Sequence, residues 1–330
     1  MRIAVDVLGG DHAPRAILEG VAAALRDGGF RAEELLLVGP EEASRAVLRE
    51  AGVDEVPPIL HTDEFVGSDE KPVVALRQKP RASIALCVGA VRGGEADGLV
   101  SFGNTGATVA ASTMGLGLLE GLRRPAIAVS MEGAAGRFVL LDAGANPTPK
   151  PLHLAQYAVM GAAHARDLLA HARPRVGLLN IGGEANKGGQ ALKEAYGMIE
   201  AAAEGYEFVG NVEGNEIFAG RADVFVCDGF VGNVVLKVVE GFAEYLVATA
   251  AEDGSEVSGA LRRLLGAADF SEVGAAVLLG VRGVVLIGHG RSQANAVPPA
   301  LRTVRAHLEA GVNRHIVRDL ALGAEAGEGA

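Results

Sequence analysis

The sequence predicts an α/β fold with a mainly parallel sheet covered by helices on both faces. Strand-like and helix-like segments alternate along the chain, and the apolar runs end in glycine-rich turns. The chain is 330 residues long and 49% hydrophobic but only 4% aromatic, which is enough for a sizeable aliphatic core. Parallel strands need long crossovers, and helices between strands supply them.

The elements follow in order. Residues 2–7 form an apolar run ending at Gly9 and Gly10, and 14–26 reads as a helix. The run 35–38 ends at Gly39 and Pro40, with a helix over 41–51. Residues 71–78 and 83–92 read as helices, and 99–101 as a buried strand ending at Gly103. Residues 126–131 and 137–141 read as a hairpin around 133–136. A long helix spans 151–169, a strand 175–181, a helix 190–203, a strand 222–227 and a helix 234–251. The last strand is 283–287 and the last helix 299–310. The chain reads as one domain over residues 1–322, with a helical arm at about 242–271 and a flexible tail at 323–330.

Composition excludes several classes. The formal charge is −11, so the field that concentrates nucleic-acid backbones is missing. Trp is absent, which leaves little to stack bases on. Cys87 and Cys227 are too few for a disulfide framework, and a reducing cytoplasm is expected. Asp6 and Asp11 break any signal-peptide core. The longest uncharged run, 98–119, is interrupted by Ser101, Asn104, Thr105, Thr108, Ser112 and Thr113, so it reads as strand, loop and helix rather than a membrane span. Zinc spacing is absent. Asp6, Asp11, Asp142 and Asp228 would hold Mg²⁺ only by converging, and capping explains each, so no metal is expected.

Candidate function lies in polar, glycine-bearing loops after predicted strands. One contains Gly9, Gly10, Asp11 and His12; another contains Gly103, Asn104, Thr105 and Gly106. A third runs from Asn180 through Gly182, Gly183 and Lys187 to Gly189, and a fourth holds Asp228, Gly232 and Asn233. Asp142, Gly144 and Asn146 form a fifth. Ligands of open α/β sheets bind where strand C-termini meet helix N-termini, and glycines let backbone N–H groups approach an anion. Lys187 is the one fixed cation in these loops. Neither a P-loop nor a dinucleotide fingerprint is present, so a small anion such as phosphate fits better than a nucleotide. His12 and His289 are each an acid, a base or a hydrogen-bond donor. Cys227 reads as a buried apolar residue, because Asp228 beside it would raise its thiol pKa. Lys71, Arg77, Lys79, Arg81, Arg262 and Arg263 form local basic clusters suited to an acidic partner.

The chain resembles the PlsX family of bacterial phosphate acyltransferases. The resemblance rests on VDVLGGDHAP (5–14), KPVVALRQK (71–79), SFGNTGA (101–107), DAGAN (142–146), LLNIGGEANKG (178–188), GNVEG (210–214), VCDGFVGNVVLKVVEG (226–241) and LLGVRGVVLIGHGRS (278–292). It implies a three-layer α/β/α Rossmann-like sandwich, related to isopropylmalate dehydrogenases and phosphotransacetylases. It implies transfer of a fatty acyl group from acyl-(acyl carrier protein) to inorganic phosphate, with no cofactor. It further implies a cytoplasmic homodimer in loose contact with the inner membrane face, and a downstream membrane acyltransferase that uses glycerol 3-phosphate. The arm is shorter than the resemblance leads one to expect.

For that reaction the residues suggest direct attack by phosphate. Lys187 would bind phosphate or the oxyanion, while Asn233 and Asn104 orient phosphate or carbonyl. N–H groups of Gly10, Gly103, Thr105 and Gly232 would complete the cradle, with Gly106, Asp142, Asn146 and His289 also lining the substrate. His12, or else Lys237, would protonate the leaving thiolate, and Asp11 and Asp228 would position these groups. The basic clusters would dock the carrier protein. A decarboxylating dehydrogenase lacks its Arg and Asp ligand set here, and a non-catalytic adaptor would have no use for Lys187 among glycines.

Overall fold

The strands form because short β-branched and leucine-rich runs are buried on both sides. The structure, a computed structural model, describes residues 1–252 and 275–328. In chain order, β1 is Ile3–Asp6, α1 Arg15–Arg26, β2 Leu35–Gly39, α2 Glu41–Glu50, β3 Ile59–His61, α3 Pro72–Gln78, α4 Ser83–Gly93, β4 Gly98–Ser101 and α5 Thr105–Gly115. Then come β5 Ala126–Gly133, β6 Gly136–Leu141, α6 Pro151–Leu169, β7 Arg175–Leu179, α7 Gln190–Ala201, β8 Glu207–Val212 and β9 Val224–Val226. The remainder is α8 Gly229–Glu252, β10 Ala276–Leu279, β11 Val284–Ile287, α9 Val297–Ala310 and α10 Val312–Glu328.

The chain divides into two compact units, Met1–Leu118 with Phe270–Glu309, and Leu119–Asp269 with Ala310–Ala330. In the first unit the strand order is β3-β2-β1-β4-β11-β10. All neighbours are parallel except β10, which runs antiparallel to β11. Every residue of β1, β4 and β11 is buried, as strands covered on both faces require. In the second unit the order is β5-β6-β9-β7-β8, parallel except for the β5–β6 hairpin. That hairpin closes between Gly133 and Gly136, as expected, and Gly136 takes φ +104°. The architecture is a three-layer α/β fold.

Helix α6 carries the second unit's core: every residue from Leu154 to Ala165 is buried, including Gln156 and His164. Gly161 lets it lie against the sheet, since a Cβ there would meet the Val224 side chain. Helix α8 runs to Glu252, so the rest of the expected arm, with Arg262 and Arg263, falls outside the described residues. Helix α10 runs to Glu328. Arg166 Nη1 donates to Asp319 Oδ2 at 2.8 Å, and His315 Nδ1 lies 2.7 Å from Asp167 Oδ2, which ties α10 to α6. No described helix is long and apolar enough to cross a membrane.

Candidate active site

In the first unit, β1 and β4 are parallel neighbours, so their terminal loops emerge side by side. Ser101 Oγ donates to Asp6 Oδ2 at 2.7 Å, and the Gly103 N–H donates back to Ser101 Oγ at 3.2 Å. Asp6 is buried, and burial pushes its carboxyl pKa up against the hydroxyls of Ser83 and Ser101 and the N–H groups of Leu8 and Gly9. The two glycine loops touch directly. A Cβ on Gly9 would lie 2.8 Å from Gly103 N and 2.9 Å from Asp6 Oδ2. The Asp11 N–H donates to the Gly290 carbonyl at 2.8 Å, drawing the loop after β11 onto the first loop. His289 sits in that loop, its Nδ1 accepting from the Arg291 N–H at 3.2 Å. Gly10, with φ +112°, His12, Thr105 and Gly106 therefore belong to one end of this unit, and His12, Thr105 and Gly106 are exposed there.

Geometry revises two expectations in this unit. Asn104 caps α5: its Oδ1 accepts from the Ala107 N–H at 3.0 Å, and its Nδ2 donates to the carbonyls of Gly67 and Ser68 at 3.1 and 3.2 Å. Its amide is spent on the fold, so Asn104 shapes the loop rather than orienting a substrate. The Gly103 N–H is likewise spent on Ser101. At the start of α5 the donors left for an anion are the N–H groups of Thr105 and Gly106, because the first turn of a helix offers them no acceptor.

The second unit is built around Asp142, whose side chain is fully buried after β6. Oδ1 accepts from the N–H groups of Ile127, Gly144 and Ala145, and Oδ2 from the N–H and Nδ2 of Asn146, all at 2.7–3.1 Å. Burial still raises its carboxyl pKa overall. Asn146 Nδ2 also donates to the Pro125 carbonyl at 2.6 Å, and its own carbonyl accepts the Gly229 N–H at 2.8 Å. Asp142 and the Nδ2 of Asn146 are thus the loop's scaffold, with both Asp142 oxygens and both Nδ2 hydrogens committed. Asp228 Oδ1 caps α8 through the Val231 N–H at 2.8 Å, and the Gly232 N–H is spent on the Asp228 carbonyl at 2.9 Å.

Lys187 and Asn233 keep their heads available. Asn233 is exposed beside Gly144, and its amide makes no hydrogen bond among the described residues. Lys187 is 43% exposed, with Nζ 3.5 Å from the exposed Glu184 carboxylate. Such a pair is worth little in water and yields readily to an anion. Lys237 pairs with Glu240 at 2.7 Å. Cys227 is 2% exposed and donates to the Asp142 carbonyl at 3.6 Å. Burial, then Asp142 and Asp228, push its thiol well up, which is wrong for a nucleophile.

On α3 and beyond it, Lys71, Arg77 and Arg81 are exposed beside Val73 and Val74. Lys79 is paired within the fold, its Nζ 2.6 Å from Glu70 and 3.0 Å from the Phe65 carbonyl, and Arg81 Nη2 donates to the His61 carbonyl at 2.9 Å. Among the described residues no three His, Cys, Asp or Glu side chains gather to hold a metal.

Residues 1–315 match the family described as fatty acid synthesis protein. The chain is 45% identical over 312 residues to a phosphate acyltransferase of Desulforudis audaxviator, covering 92% of this chain and 91% of that one. It is 44% identical over 336 residues to a phosphate acyltransferase of Heliobacterium modesticaldum, covering 96% and 98%. The chain belongs to the PlsX family of phosphate acyltransferases. Among solved structures, a phosphotransacetylase from Streptococcus pyogenes superposes with a TM-score of 0.63 at 20% identity, covering 94% of each chain. A 4-hydroxythreonine-4-phosphate dehydrogenase from Klebsiella pneumoniae gives 0.54 at 11% identity, covering 93% of this chain and 99% of that one. These likenesses establish the Rossmann-like fold.

Three residues escaped the sequence reading of this PlsX-family chain as site builders: Asp6, Ser101 and Asn211. Asp6 and Ser101 each end a strand, a place where a polar residue buried on both faces needs a partner.

Proposed function

We propose that this acyltransferase moves a fatty acyl group from acyl-(acyl carrier protein) to inorganic phosphate, releasing acyl phosphate and the carrier thiol. The observation that carries the reading is Lys187, a half-exposed cation on a glycine loop whose head meets, among the described residues, only an exposed carboxylate. It suits a small anion that arrives and leaves. A phosphate oxygen attacks the thioester carbonyl carbon, a C–O bond forms, and the C–S bond breaks as the phosphopantetheine thiolate leaves. Phosphate is already anionic at neutral pH, so the protein's task is positioning and charge stabilisation. Lys187 binds phosphate and the developing oxyanion, and Asn233 orients it through a neutral amide. In the first unit, taken by itself, the N–H groups of Gly10, Thr105 and Gly106 are anion donors of the same kind. His12 returns a proton to the leaving thiolate, with Lys237 as the other donor within the sequence motifs. No cofactor takes part.

The acidic carrier protein docks on Lys71, Arg77 and Arg81, with Val73 and Val74 beside them. The working form is a cytoplasmic homodimer in peripheral contact with the membrane. A membrane acyltransferase consumes the acyl phosphate with glycerol 3-phosphate as acceptor.

The test is a mass balance with acyl-(acyl carrier protein) and labelled inorganic phosphate. Equal, phosphate-dependent appearance of acyl phosphate and carrier thiol is expected. Thiol without acyl phosphate would mean hydrolysis, and no turnover by folded protein would overturn the reading.

A further inference from the structure

The GNVEG stretch has no role in the reaction as assigned, yet Asn211 in it is 3% exposed and sits in the second unit behind the Lys187 loop. Its Nδ2 donates to the Glu184 carbonyl at 2.7 Å, and its Oδ1 accepts from Asn180 Nδ2 at 3.1 Å. Asn180 Nδ2 also donates to the Lys187 carbonyl at 3.1 Å, and Asn180 Oδ1 accepts the Ile181 N–H at 2.8 Å. The backbone groups at both ends fix the sense of this chain. Carbonyls can only accept and an N–H can only donate, so neither amide can be flipped. Together the two carboxamides hold the loop at its start, at Glu184 and at Lys187.

Asn211 reaches this place through an irregularity. β8 pairs with β7 as Phe208 to Val176 and then as Asn211 to Leu178, so Val209 and Gly210 share the place opposite Gly177. Gly210 takes φ +83°, the conformation such a bulge demands. In regular pairing Asn211 would stand opposite Leu179 and face the other side of the sheet, since one residue of slip reverses every side chain. The bulge turns a buried amide toward the Lys187 loop.

We propose that Asn211, acting through Asn180, is a positioning residue that sets the Lys187 loop for phosphate. The inference rests on the assignment of Lys187 as the phosphate-binding cation. Asn211→Leu removes both hydrogen bonds, and Asn211→Asp keeps the acceptor for Asn180 but cannot donate to the Glu184 carbonyl. Each should lower kcat/KM for inorganic phosphate by about 10- to 100-fold, as a misplacement of about 1 Å does. The KM for the acyl-carrier donor should stay unchanged. Placed in a Lys187→Ala background, Asn211→Leu should add no further loss, because a residue that acts only through Lys187 has nothing left to position. If Asn211→Leu does not fold, Asn211→Asp carries the same comparisons. Normal phosphate kcat/KM in the folded variants, or an equal further loss in the Lys187→Ala background, would overturn the proposal. In the first case a low activity of Lys187→Ala alone would leave the function standing. Full activity of Lys187→Ala would instead strike the assignment of Lys187 itself.

Discussion

Gly232→Ala is expected to damage catalysis while Gly241→Ala, on the same helix, does not. A Cβ on Gly232 would overlap the Asp142 carbonyl oxygen and lie 2.9 Å from its carbon and 3.0 Å from Cys227 Sγ. Ordinary contact begins at 3.4 Å, so something must retreat. Asp142 cannot, because its side chain is held by N–H donors on both oxygens and its own N–H is paired with the Cys227 carbonyl at 3.2 Å. The start of α8 must therefore move by about 1 Å, carrying Asn233 with it, at a cost of about 1–3 kcal/mol in overpacking. A shift of that size should lower kcat/KM by about 10- to 100-fold. A Cβ on Gly241 meets nothing within 4 Å among the described residues. There the alanine should stabilise α8 by about 0.5–1 kcal/mol and leave turnover unchanged. Denaturant unfolding and steady-state rates on the two variants provide the assay. Equal activity and equal stability would refute the claim that close packing of α8 on the Asp142 peptide places Asn233.

His307 is buried, and burial pushes its imidazole down to about 4. The folded protein keeps it neutral while the unfolded chain takes a proton near pH 6.5, so its contribution is whole above that pH and fades as pH falls toward 4, by about 3 kcal/mol. His307→Gln should flatten the fall in unfolding free energy over that window, and an unchanged profile would contradict the burial argument. Cys227→Ala should retain turnover, since phosphate attacks directly, and a trapped acyl-enzyme in the parent protein would contradict that. Lys71→Glu with Arg77→Glu should raise the KM for the acyl carrier substrate with phosphate KM unchanged, read from initial rates at two salt concentrations.

Much of the fold was legible because it is locally encoded. The alternation of runs and amphipathic stretches locates β1, α1, β2, α2 and α6, and the glycines at 133 and 136 mark the hairpin. β3 was hidden by the adjacent Pro57 and Pro58, and β8 by its bulge at Gly210, which breaks the two-residue period. α10 was legible but unread, for Val312 and Ile316 are both buried at helical spacing. In the site, composition marks the glycine-polar loops as ligand-facing but does not reveal which donors the fold has already spent. Asn104, Gly103, Gly232 and Asp142 all look available in the sequence and are all committed. The Asp6–Ser101 bond joins residues 95 apart, and Asn180–Asn211 residues 31 apart, so each depends on strand order that no local pattern carries.

Lys187 is proposed to hold the attacking phosphate. The most direct test is kcat/KM for inorganic phosphate in Lys187→Ala, with the unfolding midpoint measured alongside. Lys187 is half-exposed and its head meets only Glu184 among the described residues, so the midpoint should not move. The specificity constant should fall by about 100- to 1,000-fold, as when one preorganised charge-stabilising donor is removed. A folded Lys187→Ala enzyme with the parent's phosphate kcat/KM would contradict the account.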